Sequence, residues 1–231
     1  MEAKFLLIET SGMVGRVGLA QGAALLAQRS LDINYRHNRD LVPSIAAILQ
    51  DIGWKPRQVE GVIVSRGPGS YTGLRVGMMS AKSFAFATGG ELIAVETLAC
   101  VARQAPPEIC LLDVIADAQR GNLYTQTFTR DLSTQKMRPA SDLIVESVAS
   151  FLARRDPSAW TSGPALPVLP ELRQELSRLS PPETWVPGLE ALLHEGLGME
   201  KRFTPAEAMR LEPLYFRPSS AEQKWDSLGR P

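Results

Sequence analysis

The run SRGPGSYTGLRVG at residues 65–77 constrains the fold most, because it joins a short apolar strand to a long apolar helix. The strand is predicted over residues 59–65, where the GVIV sequence is typical of a strand buried on both faces. The Gly-Pro-Gly sequence then ends it. A hydroxyl of Ser70 or Thr72 can cap the following helix, predicted over residues 72–88, by accepting from backbone N–H groups that lack a partner in the helix.

The helix predicted over residues 72–88 is apolar around most of its circumference. It carries only two charges, on Arg75 and Lys82. Small residues recur along one side at i, i+4 spacing: Gly73, Gly77, Ala81 and Ala85. A helix of this composition is normally buried on more than the side that faces its sheet. We therefore expect a second cover for it, and another protein is one candidate.

The first half of the chain has the predicted order β-β-β-α-β-α-β. Its first helix, predicted within residues 37–52, places a row of apolar residues on one face: Leu41, Ile45, Ile48 and Ile52. We expect Asp40 to cap this helix, so that Pro43 falls in its first turn, whereas a start at His37 or Asn38 would place Pro43 inside the helix and bend it. The remaining elements are three strands over residues 4–9, 14–20 and 23–29, a strand over residues 91–95, and a short helix over residues 97–104.

The sequence Ala-Pro-Pro at residues 105–107 is the best candidate for a boundary between two halves. We therefore predict one lobe over residues 1–105 and a second over residues 106–231. The second lobe is predicted to repeat the order of the first loosely. Its predicted elements are strands at 109–116 and 122–129, a weaker strand ending near 145, helices at 146–155, 171–179 and 189–197, and an extended docking segment at 211–218 before a polar tail.

Composition and charge exclude several classes of protein. Lysine plus arginine equals aspartate plus glutamate, at 25 each, so no overall positive field attracts the chain to nucleic acid. The apolar burst FLLI near the start is too short for a signal sequence or a membrane span, and we expect a cytoplasmic protein. The two histidines, His37 and His194, are far apart and outside any ligand-spaced cluster, so we expect no metal site.

Residues at the end of the first strand offer one candidate site. The sequence ETSG at residues 9–12 could hold hydrated magnesium through its carboxylate and hydroxyls, and the glycine loop, residues 66–73, could bind an anion at a helix N-terminus. The alternative is a tight turn whose glycines permit close packing, which we favour. The candidate residues of this nucleotide or anion site, which we expect to be a relic, are Glu9, Thr10, Gly67, Gly69 and Arg75.

Four motifs together resemble the TsaB (YeaZ-type) subunits of the bacterial tRNA threonylcarbamoyladenosine machinery. They are GPGSYTGLRVG at 67–77, IET at 8–10, DAQRGNLY at 117–124 and PLYFR at 213–217. The resemblance spans nearly the whole chain. It implies an α/β fold of two actin-like (ribonuclease H-like) lobes, each a mixed sheet with β-β-β-α-β-α order flanked by helices.

The same resemblance implies a subunit without catalytic activity of its own. Such subunits dimerise with the catalytic subunit TsaD and activate it, together with the ATPase TsaE. The complex transfers a threonylcarbamoyl group, supplied as an adenylate by a separate synthase, to adenosine 37 of tRNAs that read codons beginning with A. ATP, ADP and metal are then expected on the partner subunits, tRNA contacts mainly through those partners, and a homodimer of this chain where TsaD is absent.

The resemblance also implies that the two helices of the first lobe form the partner interface. We predict its contacts from the apolar rows of these helices: Leu41, Ile45, Ile48, Ile52, Gly73, Leu74, Gly77, Met78 and Ala81. The alternative function is a nucleotide-dependent enzyme of the same fold, such as a small kinase. A peptidase function is supported only by an older, glycoprotease-like name for the family, because Ser70 lacks the GxSxG pattern of a nucleophile.

Overall fold

The computed structural model describes residues 2–31 and 37–214, with the side chains of residues 37–39 excepted. Its first sheet has the strand order β3-β2-β1-β4-β5, in which β1 pairs antiparallel with β2 and parallel with β4. The bounds are β1 Lys4–Glu9, β2 Arg16–Gln21, β3 Ala24–Ser30, β4 Gly61–Gly67 and β5 Glu91–Glu96. The five predicted strands are confirmed, with limits that differ from the prediction by at most two residues.

Helices cover both faces of the first sheet because its central strands are apolar on both sides. One face packs against α1 (His37–Ile52) and α2 (Tyr71–Thr88). The preferred start of α1 after an Asp40 cap is wrong, because the helix begins at His37 and contains Pro43. The opposite face packs against α6 (Leu189–Gly198) and reaches α3 (Thr97–Arg103) at Cys100. Neighbouring residues of β1 therefore alternate between the two cores, with Leu6 and Ile8 on the first and Phe5 and Leu7 on the second.

The second sheet is built on β6 (Leu111–Asp117) and β7 (Asn122–Arg130), which pair antiparallel. Two short strands, β8 (Met137–Pro139) and β9 (Ile144–Ser147), pair with opposite ends of β7 and together take the place of one third strand. The chain continues through α4 (Val148–Arg154), β10 (Trp160–Ser162), α5 (Pro170–Gln174), α6 and α7 (Pro205–Ala208). The predicted order β-β-β-α-β-α is thus present with a divided third strand.

The predicted division of the chain at residues 105 and 106 is wrong for the C-terminal part. It assigns α6 and α7 to the second lobe, whereas α6 packs on the first sheet through Leu189, Leu192 and Leu193. The α7 helix contacts α2 and β5, and Phe203 forms a bridge with Leu92 of β5. The chain therefore returns to the first lobe, because the β1–β4–β5 face needs an apolar cover that the first 105 residues do not supply.

The end of the described chain lies beside the glycine loop. The Leu214 N–H donates to the carbonyl oxygen of Arg66 over 2.8 Å, and the Lys82 ammonium donates to the carbonyl of Met209 over 3.3 Å. This part of the predicted docking segment therefore docks on the first lobe. The rest of that segment, from residue 215, and the polar tail lie outside the described residues.

Arg130 holds the connection between the two halves in place. Its guanidinium donates to the carbonyl oxygens of Ala105, Pro106, Ile109 and Gln135 over 2.7–3.0 Å. A planar group with several fixed donors suits this arrangement, whereas a lysine ammonium is a single compact donor. Arg130 thereby ties the proline-rich connection to the β7–β8 hairpin.

We expect Arg130→Lys to lower the free energy of unfolding by about 2 kcal/mol, because charge-assisted bonds to partly buried carbonyls are lost. In a chain of this length the melting temperature then falls by roughly 4–8 °C. Arg138→Lys is the matched control, since Arg138 pairs with Asp131 on the same hairpin but is well exposed. Equal melting temperatures for the two variants in thermal unfolding would contradict this role.

Candidate functional site

The glycine loop packs directly against the end of β1. A Cβ atom on Gly69 would overlap the carbonyl oxygen of Ser11, and one on Gly73 would overlap the carbonyl oxygen of Thr10. The Thr10 hydroxyl donates to the carbonyl oxygen of Gly73 over 2.8 Å, and a Cβ atom on Gly77 would overlap that hydroxyl. The glycines of this motif therefore serve close approach between α2 and β1, as the tight-turn interpretation predicts.

The proposed anion site at the start of α2 is largely used by the chain itself. The Ser70 N–H donates to the Ser11 carbonyl over 2.7 Å, and the Ser70 hydroxyl caps the helix by accepting from the Gly73 N–H. Gly67 lies against Leu74 and Leu214. Arg75 is exposed, and its guanidinium donates to the Tyr71 hydroxyl instead of turning towards the loop. The loop and Arg75 therefore do not converge on one anion.

Glu9 has an unusual environment at the end of β1. Its side chain is 1% exposed, and one carboxylate oxygen, Oε1, accepts hydrogen bonds from the N–H and hydroxyl of Ser11. The other oxygen, Oε2, is buried without a hydrogen-bond partner. Burial raises the pKa of Glu9, and the hydrogen bonds of Ser11 and Ser65 and the charge of Arg16 only partly oppose this.

We expect Glu9→Gln to raise the melting temperature at pH 8 by about 2–4 °C, the effect of roughly 1 kcal/mol in a chain of this length. Because the folded-state pKa lies above the ordinary value of 4.5, wild-type stability falls as the pH rises above that value. The difference should therefore shrink as the pH approaches 4.5. Glu171→Gln, at an exposed acid, is the control, and a pH-independent difference in thermal unfolding would contradict the buried charge.

A cavity of about 220 Å³ lies beside Glu9. We call it the cleft cavity; residues before β2 and residues of the second half line it together. Its walls are mostly apolar or proline side chains. The lining consists of Glu9, Gly12, Met13, Val14, Arg16, Pro164, Pro167, Val168, Val186 and Pro187.

This arrangement does not fit a nucleoside triphosphate with magnesium, the ligand implied by the actin-like fold. Phosphates need a concentration of backbone N–H groups or cations, and magnesium needs oxygen ligands. The cleft cavity offers the buried Glu9 carboxylate, the Arg16 guanidinium, which already donates to the Pro187 carbonyl, and otherwise mostly apolar walls, and the neighbouring glycine loop is closed on β1. Within residues 2–31 and 37–214, no group of three or more His, Cys, Asp or Glu side chains could hold a metal ion.

The motif DAQRGNLY forms the tight hairpin between β6 and β7. Gln119 and Arg120 both have positive φ angles, of 63° and 55°. The Asp117 carboxylate accepts from the Gln119 N–H over 2.7 Å, and the Asn122 side-chain amide donates to the Arg120 carbonyl over 2.9 Å. The polar residues of the motif therefore stabilise this turn.

The apolar side chains that we predicted as partner contacts lie inside the chain itself. Leu41, Ile45, Ile48, Leu74, Met78 and Ala81 are at most 6% exposed, Gly73 and Gly77 are buried, and Ile52 is partly buried. The residue-level prediction is therefore wrong. The physical reason is that these rows of α1 and α2 face the first sheet, so the chain's own strands cover them.

The opposite sides of the two helices carry exposed apolar side chains instead. Val42 of α1 is 61% exposed, and Met79 and Phe86 of α2 are 56% and 68% exposed. With exposed Ala46 of α1 they form what we call the outer helix face (Val42, Ala46, Met79 and Phe86). Because α1 and α2 contact each other, these residues lie on neighbouring elements. The signal in the sequence that could have identified this face was the pair of large apolar residues, Met79 and Phe86, on the side of α2 opposite the small-residue row.

Comparison with protein families and sequences gives a consistent result. The family model described as TsaD, tRNA N6-adenosine threonylcarbamoyltransferase, matches residues 32–163, which is more than half of the chain. The tRNA threonylcarbamoyladenosine biosynthesis protein TsaB of Bacillus subtilis (strain 168) is 30% identical over 120 residues, covering 52% of each chain. The chain thus spans about half the length of this relative. The Escherichia coli (strain K12) protein of the same name is 25% identical over 193 residues, covering 81% of this chain and 84% of that protein.

Comparison with solved structures supports the fold. The structure titled "YeaZ from Pseudomonas aeruginosa" superposes with a TM-score of 0.75 at 22% sequence identity, covering 93% of this chain and all of that one. A likeness at this level of identity concerns the fold. It agrees with the two mixed sheets flanked by helices described above.

Proposed function

We propose that this chain, which belongs to the tRNA N6-adenosine threonylcarbamoyltransferase (TsaD) family, is a non-catalytic activating subunit of the TsaB (YeaZ) type. In the proposed complex it pairs with TsaD for threonylcarbamoyl transfer to adenosine 37 of tRNA. The observation that carries the pairing is the outer helix face, since three large apolar side chains on two adjacent helices are each more than half exposed.

The proposed pairing sets α1 and α2 of this chain against the corresponding helices of TsaD. The TsaD family model matches a segment that contains both helices, so a TsaD partner would supply a related pair. Aromatic and methionine side chains are enriched at the centres of protein interfaces, which suits Phe86 and Met79. The same face would join two copies of this chain where TsaD is absent.

The remaining roles follow from the same assignment. TsaE completes the complex, and ATP, ADP and metal bind to the partner subunits, because the cleft cavity of this chain has mostly apolar walls and its guanidinium, that of Arg16, already donates to the Pro187 carbonyl. Equal numbers of acidic and basic residues favour tRNA contacts made mainly by the partners. We propose a cytoplasmic location; among the described residues, no helix is both long and apolar enough to cross a membrane.

Association with TsaD tests the proposal. We expect size-exclusion chromatography with light scattering to give a one-to-one complex from an equimolar mixture of the full chain and TsaD. Titration calorimetry of the full chain alone with ATP and magnesium should show no binding in the micromolar range. Micromolar binding with turnover of ATP, or failure of the two proteins to associate, would contradict the proposal.

A further inference from the structure

Arg75 lies on the same side of α2 as the apolar residues of the outer helix face. In a helix with 3.6 residues per turn, its side chain leaves the axis within about 40° of the directions of Met79 and Phe86. It precedes Met79 by four residues, about one turn of the helix, and its side chain is exposed. Arg75 therefore places a positive charge at the border of an apolar surface.

Tyr71 holds the guanidinium of Arg75 in place. The guanidinium donates to the Tyr71 hydroxyl over 2.8 Å, and its Cζ atom lies 5.1 Å from the centre of the tyrosine ring. Within residues 2–31 and 37–214 it has no other hydrogen-bond acceptor and forms no ion pair. Since a guanidinium has five N–H donors, most of them remain available to a molecule that covers this part of α2.

A partner that covers the outer helix face would remove this guanidinium from part of its water. A charge that loses water without gaining a counter-charge weakens a complex. A carboxylate suits a guanidinium best, because its two oxygens can accept two parallel N–H bonds. Arginine and tyrosine are also enriched among the residues that carry most of the binding energy of interfaces.

We propose that Arg75, oriented by Tyr71, binds a carboxylate of the partner and is a specificity-determining residue of the outer helix face. This inference rests on the proposed pairing with TsaD and adds a requirement to it. The two helices of the partner must carry an Asp or Glu side chain that reaches the start of α2, beside the apolar residues that cover Met79 and Phe86. A partner with a cation at that position is rejected by repulsion between like charges.

Two substitutions at Arg75 test whether the facing group is negative. Arg75→Gln removes the charge and keeps N–H donors, and it should weaken binding of the full chain to TsaD about tenfold. Arg75→Glu reverses the charge and should weaken binding by about 100-fold or more. Because Arg75 is exposed, both melting temperatures should stay within about 2 °C of wild type. Titration calorimetry gives the affinities, and thermal unfolding gives the stabilities.

Arg173→Glu is the matched control for the charge reversal. Arg173 is an exposed arginine on α5, which packs against the second sheet through Leu172. The control makes the same change of charge away from α1 and α2, so its affinity for TsaD should equal that of wild type. An equal loss of affinity in Arg173→Glu and Arg75→Glu would reflect overall charge and would overturn the assignment to Arg75.

A charge swap identifies the facing carboxylate, because burial alone would also disfavour a glutamate at this position. Each Asp and Glu of the two TsaD helices that correspond to α1 and α2 is changed to lysine in turn. One lysine variant should bind the wild-type chain more weakly, and it should bind Arg75→Glu at least about tenfold more tightly than unchanged TsaD does. Failure of every lysine variant to restore binding of Arg75→Glu would overturn the proposal.

Failure of this inference differs from failure of the proposed function. Wild-type affinity in Arg75→Glu, together with weak binding in Phe86→Glu, would remove Arg75 from recognition and leave the pairing through the outer helix face intact. Absence of any complex between the wild-type chain and TsaD would overturn both.

Discussion

Replacing Gly73 with alanine should lower the free energy of unfolding by about 3 kcal/mol, which corresponds to a fall of roughly 6–12 °C in the melting temperature. The added Cβ atom would overlap the carbonyl oxygen of Thr10, which belongs to the backbone and cannot rotate away. Either α2 moves away from β1 or the Thr10–Gly73 hydrogen bond breaks. Both outcomes disturb the core that joins α2 to the first sheet.

Gly198→Ala is the matched control for Gly73→Ala. Gly198 ends α6, and a Cβ atom there would meet no atom within 4 Å. Alanine has the higher helix propensity, so the control should be neutral or slightly stabilising. Thermal unfolding followed by circular dichroism measures both variants. A Gly73→Ala variant as stable as wild type would mean that the glycine loop does not pack on β1 as described.

Replacing Phe86 with glutamate should weaken binding to TsaD by about 100-fold or more while leaving the stability of the chain close to that of wild type. Phe86 is 68% exposed, so a charge at this position costs the isolated fold little. In a complex the same charge would be buried against an apolar partner without a counter-ion, and truncating or charging such an anchor removes much of the binding energy. Titration calorimetry with TsaD gives the affinity, and thermal unfolding gives the stability.

Leu132→Glu separates a site-specific effect from a general effect of adding charge. Leu132 is 78% exposed and lies on the turn between β7 and β8, far along the chain from the outer helix face. The substitution adds the same charge to a similarly exposed apolar position, and its affinity for TsaD should be unchanged. An equal loss of affinity in both variants would mean that the outer helix face is not the contact surface. Unchanged affinity in both variants would mean the same.

The sequence was sufficient to predict the strand–loop–helix unit because each local signal agreed. A β-branched burst, two glycines around a proline and the Ser70 cap each favour the same turn, and β4, the loop and α2 occur there. The side of α2 that faces the sheet could not be predicted. The helix is apolar nearly all round, so periodicity alone did not distinguish the small-residue row from the side that carries Met79 and Phe86.

Features that depend on contacts between distant segments also could not be predicted from the sequence. The α6 helix was predicted within one residue at its end, but its place on the first sheet depends on Gly196, whose missing side chain lets it lie against Ile63. The candidate site shows the same limit. Glu9 was identified from its position at the end of β1, whereas the cleft cavity beside it also requires Pro164, Pro187 and other residues from the second half of the chain.

Formation of threonylcarbamoyladenosine in a reconstituted reaction tests the central claim most directly. The reaction contains TsaD, TsaE, tRNA and threonylcarbamoyl adenylate, and the modified nucleoside is measured with and without this chain. We expect little product without the chain, strong activation by the wild type and Leu132→Glu, and activation by Phe86→Glu only at concentrations that offset its weaker binding. Full activity without the chain, or full activation by Phe86→Glu at the wild-type concentration, would contradict an activating subunit that acts through the outer helix face.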